Sequence, residues 1–292
     1  MSNPRHATRK AYAQTTYGAI HYAEIGEGPP LLMLSETART WRHFERIMPL
    51  LAPHFRTIAI DTPGYGNSHA LPEPLSIESL AECVAAFLPA IGLRSSNLFG
   101  IHLGNKIASA VAANFPERID RLVLAGQTHS IIPEVASRNE AIKPIVDGYL
   151  QPAGENADGS HLVRQWLRTF NTASGKWWPT QVLTGAKVTE KDIEDAESTV
   201  SDYLLGWRSV DPVYRAVYAY DLAEAYRTIR APTLILELTT PQETHMGPQA
   251  QRIAAMLSSG VSKSVPVTYA SAMQTEAAPI AEAIIPFLLG GD

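Results

Sequence analysis

The stretch Asn97-Leu98-Phe99-Gly100-Ile101-His102-Leu103-Gly104-Asn105-Lys106-Ile107-Ala108 decides the fold of this chain. The run Ser96 to Phe99 reads as a short buried strand that enters Gly100, and Leu103 to Phe115 has the composition and spacing of a helix. Between them stands Gly100-x-His102-x-Gly104, a sharp strand-to-helix turn. Glycines on either side of the apex let strand and helix approach more closely than any side chain would allow. Histidine is one of the non-glycine residues that tolerate a positive φ, so it can stand at the apex of a tight turn.

Outward from this turn the chain alternates. Upstream, residues 11–25 alternate around Tyr17-Gly18 as a hairpin would. Leu31–Leu34 and Arg56–Ile60 read as buried strands, and Trp41–Leu51 and Ile77–Ala90 read as helices. Downstream, Arg121–Leu124 is a further strand, Thr233–Leu236 another, and Val265–Tyr269 the last, with helices near Pro248–Leu257 and over Glu276–Leu289. Strands that are apolar throughout and alternate with helices indicate a parallel sheet covered on both faces. Residues 128–225 break this rhythm with helical segments, a polar loop at Pro152–Gly159 and the tryptophans Trp166, Trp177, Trp178 and Trp207. They read as an inserted helical cap, with 1–127 and 226–292 forming the core.

The turn resembles the nucleophile elbow of the α/β-hydrolase superfamily, normally Gly-x-Ser-x-Gly. The loop Asp61-Thr62-Pro63-Gly64-Tyr65-Gly66-Asn67-Ser68, the stretch Asn114–Leu124, the strand Ala231–Leu236 and the helix from Glu276 to Leu288 resemble the family's segments in the family's order. The resemblance implies an α/β fold with a mostly parallel eight-stranded sheet flanked by helices and a cap over a substrate pocket. It implies that Leu103 and the segment Ser35-Glu36 border an oxyanion site, and that Asp61, Pro63, Gly64 and Gly66 shape a turn. Gln127 and His129, at a strand end, and His245, in the loop after the Thr233–Leu236 strand, are candidates to line the pocket.

The reactive positions depart from that family. His102 stands where the family has serine, Thr240 or a neighbour where it has the acid, Ser271 where it has histidine, and Ser35-Glu36 where it has His-Gly. The usual relay needs a hydroxyl nucleophile, a base to take its proton and an acid to orient the base, so standard serine catalysis is not expected. A carboxylate near an oxyanion site would also oppose the developing charge. His102, at a helix N-terminus, is expected as a neutral imidazole. Glu36 follows the strand that neighbours the elbow strand in this fold, and a Glu36–His102 dyad doing acid/base chemistry is the leading expectation. Its products would be C–C cleavage, decarboxylation, a lyase reaction or isomerisation of a small organic substrate. Two alternatives stand beside it: a ligand- or partner-binding descendant without catalysis, and an atypical ester or C–C hydrolase. His21, His43, His54, His69 and His161 read as surface or helix-packing residues.

Bulk properties narrow the classes further. With 292 residues, 45% hydrophobic, the chain supports a sizeable core. A net charge of −5 with scattered basic residues speaks against nucleic acid as a partner. The single cysteine, Cys83, lies in an apolar helical run and reads as a structural thiol. The segment Met1–Lys10 lacks the apolar core of a signal peptide and no membrane-length apolar run occurs, so a cytoplasmic location is expected. No metal spacing, dinucleotide fingerprint or P-loop is present, which leaves no cofactor expected and a homodimer as one open assembly.

Overall fold

The computed structural model describes residues 7–126, 190–239, 249–267 and 272–291. Eight strands form one sheet: β1 (Arg9–Thr15), β2 (Gly18–Ile25), β3 (Pro30–Leu34), β4 (Arg56–Ile60), β5 (Ser96–Ile101), β6 (Ile119–Ala125), β7 (Thr233–Thr239) and β8 (Gly260–Pro266). Their spatial order is β1-β2-β4-β3-β5-β6-β7-β8. The first hairpin is antiparallel, β2 runs antiparallel to β4, and every pairing from β4 to β8 is parallel.

The described helices are α1 (Met48–Leu51), α2 (Ile77–Ala90), α3 (Leu103–Asn114), α4 (Glu190–Leu204), α5 (Val210–Ala219), α6 (Leu222–Thr228), α7 (Ala250–Ala254), α8 (Ala272–Thr275) and α9 (Ala277–Leu288). They cover the sheet on both faces. Leu32, Leu34 and Leu98 join one core layer with α2, α3 and α7, and α5 and α6 extend it. Leu31, Met33 and Phe99 join the other with Trp41, Phe44, α1, α8 and α9. Period-two sorting of uniformly apolar strands onto two cores is why these strands show no polar alternation.

Two elements differ from expectation. Trp41–Leu51 is not one helix but a 3-10 turn, Trp41–Phe44, followed by the short α1. The last strand starts at Gly260, because Ser262, Lys263 and Ser264 are exposed and gave no apolar signal. The C-terminal helix expected over Glu276–Leu289 is α9, with the short α8 ahead of it. Of the expected cap, α4, α5 and the start of α6 are described. Helix α6 runs across the expected boundary at residue 225 and packs on α3, where Tyr226 Oη donates to Asn105 Oδ1 at 3.2 Å. Trp166, Trp177, Trp178, the loop Pro152–Gly159 and His161 lie outside the described residues. Among the described residues no helix is long and apolar enough to cross a membrane.

Candidate active site

Strands β3, β5 and β6 are neighbours, with Leu34 opposite Gly100 and Ile101 opposite Ala125. Their C-terminal ends therefore bring three points together: the loop after Leu34, the apex at residue 102, and Gly126. The apex is built as the sequence requires. His102 has φ 49° and ψ −105°. A Cβ on Gly100 would collide with Gly104 O, and one on Gly104 with Leu34 O. Backbone bonds fix the corner, from Gly104 N–H to Ser35 O at 3.0 Å and from His102 N–H to Ala125 O at 3.3 Å. Asn105 secures the first turn of α3 from its side chain, donating to Ala125 O at 3.0 Å. The His102 ring lies against Gly126, where a Cβ would come within 2.7 Å of Nδ1.

Glu36 reaches this ring. Its Oε2 lies 3.7 Å from His102 Nε2, and each side chain is about a quarter exposed, at 27% and 24%. The expected pair is thus assembled, at ion-pair distance and just beyond hydrogen-bond length. The other carboxyl oxygen, Oε1, lies 3.6 Å from Nδ1 of His43, which has no exposed surface. Glu36 therefore stands between two imidazoles. Burial pushes its carboxyl above the ordinary carboxylate range, Arg39 opposes the shift, and Asp202 adds to it. His43 is held well below the ordinary imidazole range by burial, then by the positive charge of Arg39 and by His102. It is a neutral ring near pH 7. Neither of its nitrogens has a hydrogen-bond partner, an arrangement that costs about 1–3 kcal/mol.

The loop carrying Glu36 is clamped from two sides. Ser35 is fully buried and its hydroxyl donates to Arg39 O at 3.0 Å, closing the loop on itself. Arg39, also buried, donates to Asp202 Oδ2 of α4 at 3.1 Å and to Thr199 Oγ1 at 2.8 Å. Thr40 Oγ1 donates to Asp202 Oδ1 at 2.7 Å. Behind the loop, buried Asp61 accepts from Trp41 N–H at 2.8 Å and Asn67 N–H at 3.0 Å, and sits 2.8 Å from His21 Nδ1. The turn-forming role expected of Asp61 is what the structure shows.

The other candidates separate clearly. Leu103 is buried in the core, so only its backbone N–H, which has no acceptor within the helix, could face a ligand. Gln127, His129, Thr240, His245 and Ser271 lie outside the described residues. His54 and His69 are exposed, as expected. His21 is not: it is a buried strand residue on Asp61, a pairing across 40 positions that sequence spacing does not reveal. His43 and Arg39 were missed as members of the site. Each is a polar residue in a mixed segment, and only the folded loop aims it at Glu36 or α4. Glu237, in the acid strand, accepts from Gln249 N–H at 2.6 Å and caps α7. Among the described residues no group of three His, Cys, Asp or Glu side chains gathers to hold a metal.

Comparison with known proteins places this geometry in context. Residues 29–236 match the family model for the alpha/beta hydrolase fold. A 2-hydroxy-6-oxononadienedioate/2-hydroxy-6-oxononatrienedioate hydrolase 1 of Pseudomonas putida is 31% identical over 144 residues, 47% of this chain and 50% of that protein. A pimeloyl-(acyl-carrier protein) methyl ester esterase of Aeromonas hydrophila is 35% identical over 106 residues, 36% of this chain and 40% of that protein. The chain spans about half the length of the curated relatives it matches. Among solved structures, an epoxide hydrolase from an endophytic Streptomyces superposes with a TM-score of 0.76 at 20% identity, covering 97% of this chain and 96% of that one. The enol-lactonase of Burkholderia xenovorans LB400 gives 0.68 at 18% identity, covering 96% and 100%. At these identities the structural likenesses establish the fold.

Proposed function

The chain belongs to the alpha/beta hydrolase family, and from that premise we propose that it hydrolyses a C–C or ester bond beside a carbonyl in a small organic acid or ester, with His102 as general base. The named relatives are hydrolases and an esterase, which supports hydrolysis over the decarboxylase, lyase or isomerase chemistry also open from the sequence. The observation that carries the reading is the Glu36 carboxyl 3.7 Å from His102 Nε2 at the apex of the strand-to-helix corner.

In this reading Glu36 holds the Nε2–H tautomer, leaving Nδ1 as the basic nitrogen. His102 takes a proton from water as the water oxygen bonds to the substrate carbonyl carbon. Glu36 stabilises the imidazolium. The tetrahedral adduct then breaks its C–C or C–O bond, and the leaving group recovers the proton from His102. The Leu103 N–H, in the first turn of α3, supplies an oxyanion donor. No hydroxyl nucleophile and no acyl-enzyme take part.

The test is turnover of p-nitrophenyl esters and of 2-hydroxy-6-oxononadienedioate by the wild type and by His102→Ala and Glu36→Gln. The loss expected from removing the general base is about 10²- to 10⁴-fold, with a smaller loss for Glu36→Gln. The wild type should resist a fluorophosphonate probe. Full turnover by His102→Ala, or covalent labelling of a serine with loss of activity, would sink the mechanism.

A further inference from the structure

Glu36 is a short side chain with two oxygens, and His102 faces only one of them. The other faces His43, a fully buried ring whose nitrogens have no hydrogen-bond partner. We propose that His43 is a positioning residue, holding the Glu36 carboxyl through its Nδ1–H so that the second oxygen stays turned to His102. The inference rests on the reading of Glu36 and His102 as the working pair.

The ring is well placed for this. The Phe44 ring packs edge-on against it, with centroids 5.1 Å apart. Its turn is pinned at the start by Thr40, whose side chain accepts from Arg42 N–H, and by the bond from Trp41 N–H to Asp61. The charged and titratable groups described around the pair are Arg39 on the same loop, Asp202 from α4 and His102 at the corner. With Arg39 nearby and no solvent access, His43 does not become a second cation. It can give one N–H to a carboxylate and does not compete with His102 as a base. The 3.6 Å separation shortens to a hydrogen bond with a small rotation of the carboxyl, a tightening common when catalytic sites take up substrate.

The experiment needs no substrate. Two-bond proton–nitrogen spectra of the imidazoles, recorded across pH on the whole chain, give the His102 titration midpoint, with its signals assigned by their loss in His102→Ala. An opposite charge at this range moves a midpoint by about 1 to 3 pH units, so Glu36→Gln should lower that of His102 by at least about one. His43→Leu, which removes the donor, should lower it similarly. His43→Asn, whose amide nitrogen stands where Nδ1 stood, should restore it, whereas His43→Gln, with its amide at the Nε2 place, should not. Should the leucine variant fail to fold, the Asn and Gln variants carry the same contrast. A His102 midpoint moved by Glu36→Gln but unmoved by His43→Leu or His43→Gln overturns the role of His43 alone. A midpoint unmoved by Glu36→Gln overturns the working pair itself.

Discussion

At the scale of single residues, His102 occupies backbone space that suits glycine better, with φ at 49°. Alanine at the same position keeps this conformational cost while losing the ring, and glycine loses the ring without the cost. His102→Gly is therefore expected to be more stable than His102→Ala by about 1 kcal/mol, measured by urea denaturation. Equal stability would mean that the corner relaxes when the ring is removed. Position 102 was legible in the sequence because every requirement on it is local: a strand, two glycines and a helix within a dozen residues. Glu36 was legible at one remove, through the neighbouring of β3 and β5. His43 was not. A histidine among Trp41, Phe44 and Ile47 looks like packing, and its ring does pack. Its second contact exists only because the loop from Ser35 to Thr40 folds back over the 3-10 turn.

Between elements, the most consequential contact is the buried pair of Arg39 and Asp202, which binds the loop after β3 to helix α4. The two residues are 163 positions apart, and no periodicity or motif links them. Removing one member of a buried ion pair strands the other, so Asp202→Ala is expected to cost about 3–5 kcal/mol. Replacing both, as Arg39→Met with Asp202→Leu, should recover part of that loss, since an apolar pair avoids the desolvation of two charges but leaves Thr40 Oγ1 without its acceptor. Chemical denaturation of the single and the double variant checks both statements, and a double variant no better than the single one would refute the second. The elements themselves were largely readable where apolar runs mark buried strands. The failures lie at β8, whose middle is polar because it faces water, and at the 3-10 turn, where helical spacing over Trp41–Leu51 hid a break.

For the whole molecule, the buried His43 and the partly exposed Glu36 give stability opposite pH dependences. Folded His43 takes up its proton well below the ordinary 6.5, so its contribution is complete above pH 6.5 and is lost as pH falls toward its folded value. The unfolded chain gains about 1.4 kcal/mol per pH unit from this one group in that window. Glu36 is raised above 4.5, so its contribution is complete below that value and is lost as pH rises through its folded one. Melting temperatures from about pH 4 to about pH 8 should therefore fall less steeply on the acid side in His43→Leu than in the wild type. Glu36→Gln should gain on the wild type toward neutral pH. Parallel curves for all three proteins would show that neither group titrates differently on folding. The corner itself has a longer-range consequence. Its shape is fixed by glycine hydrogens against Gly104 O and Leu34 O and by two backbone bonds, none of which involves the imidazole. It works as a socket that asks only for tolerance of a positive φ: a lineage can exchange the side chain there by one replacement among such residues, and chemistry can drift while architecture stands still.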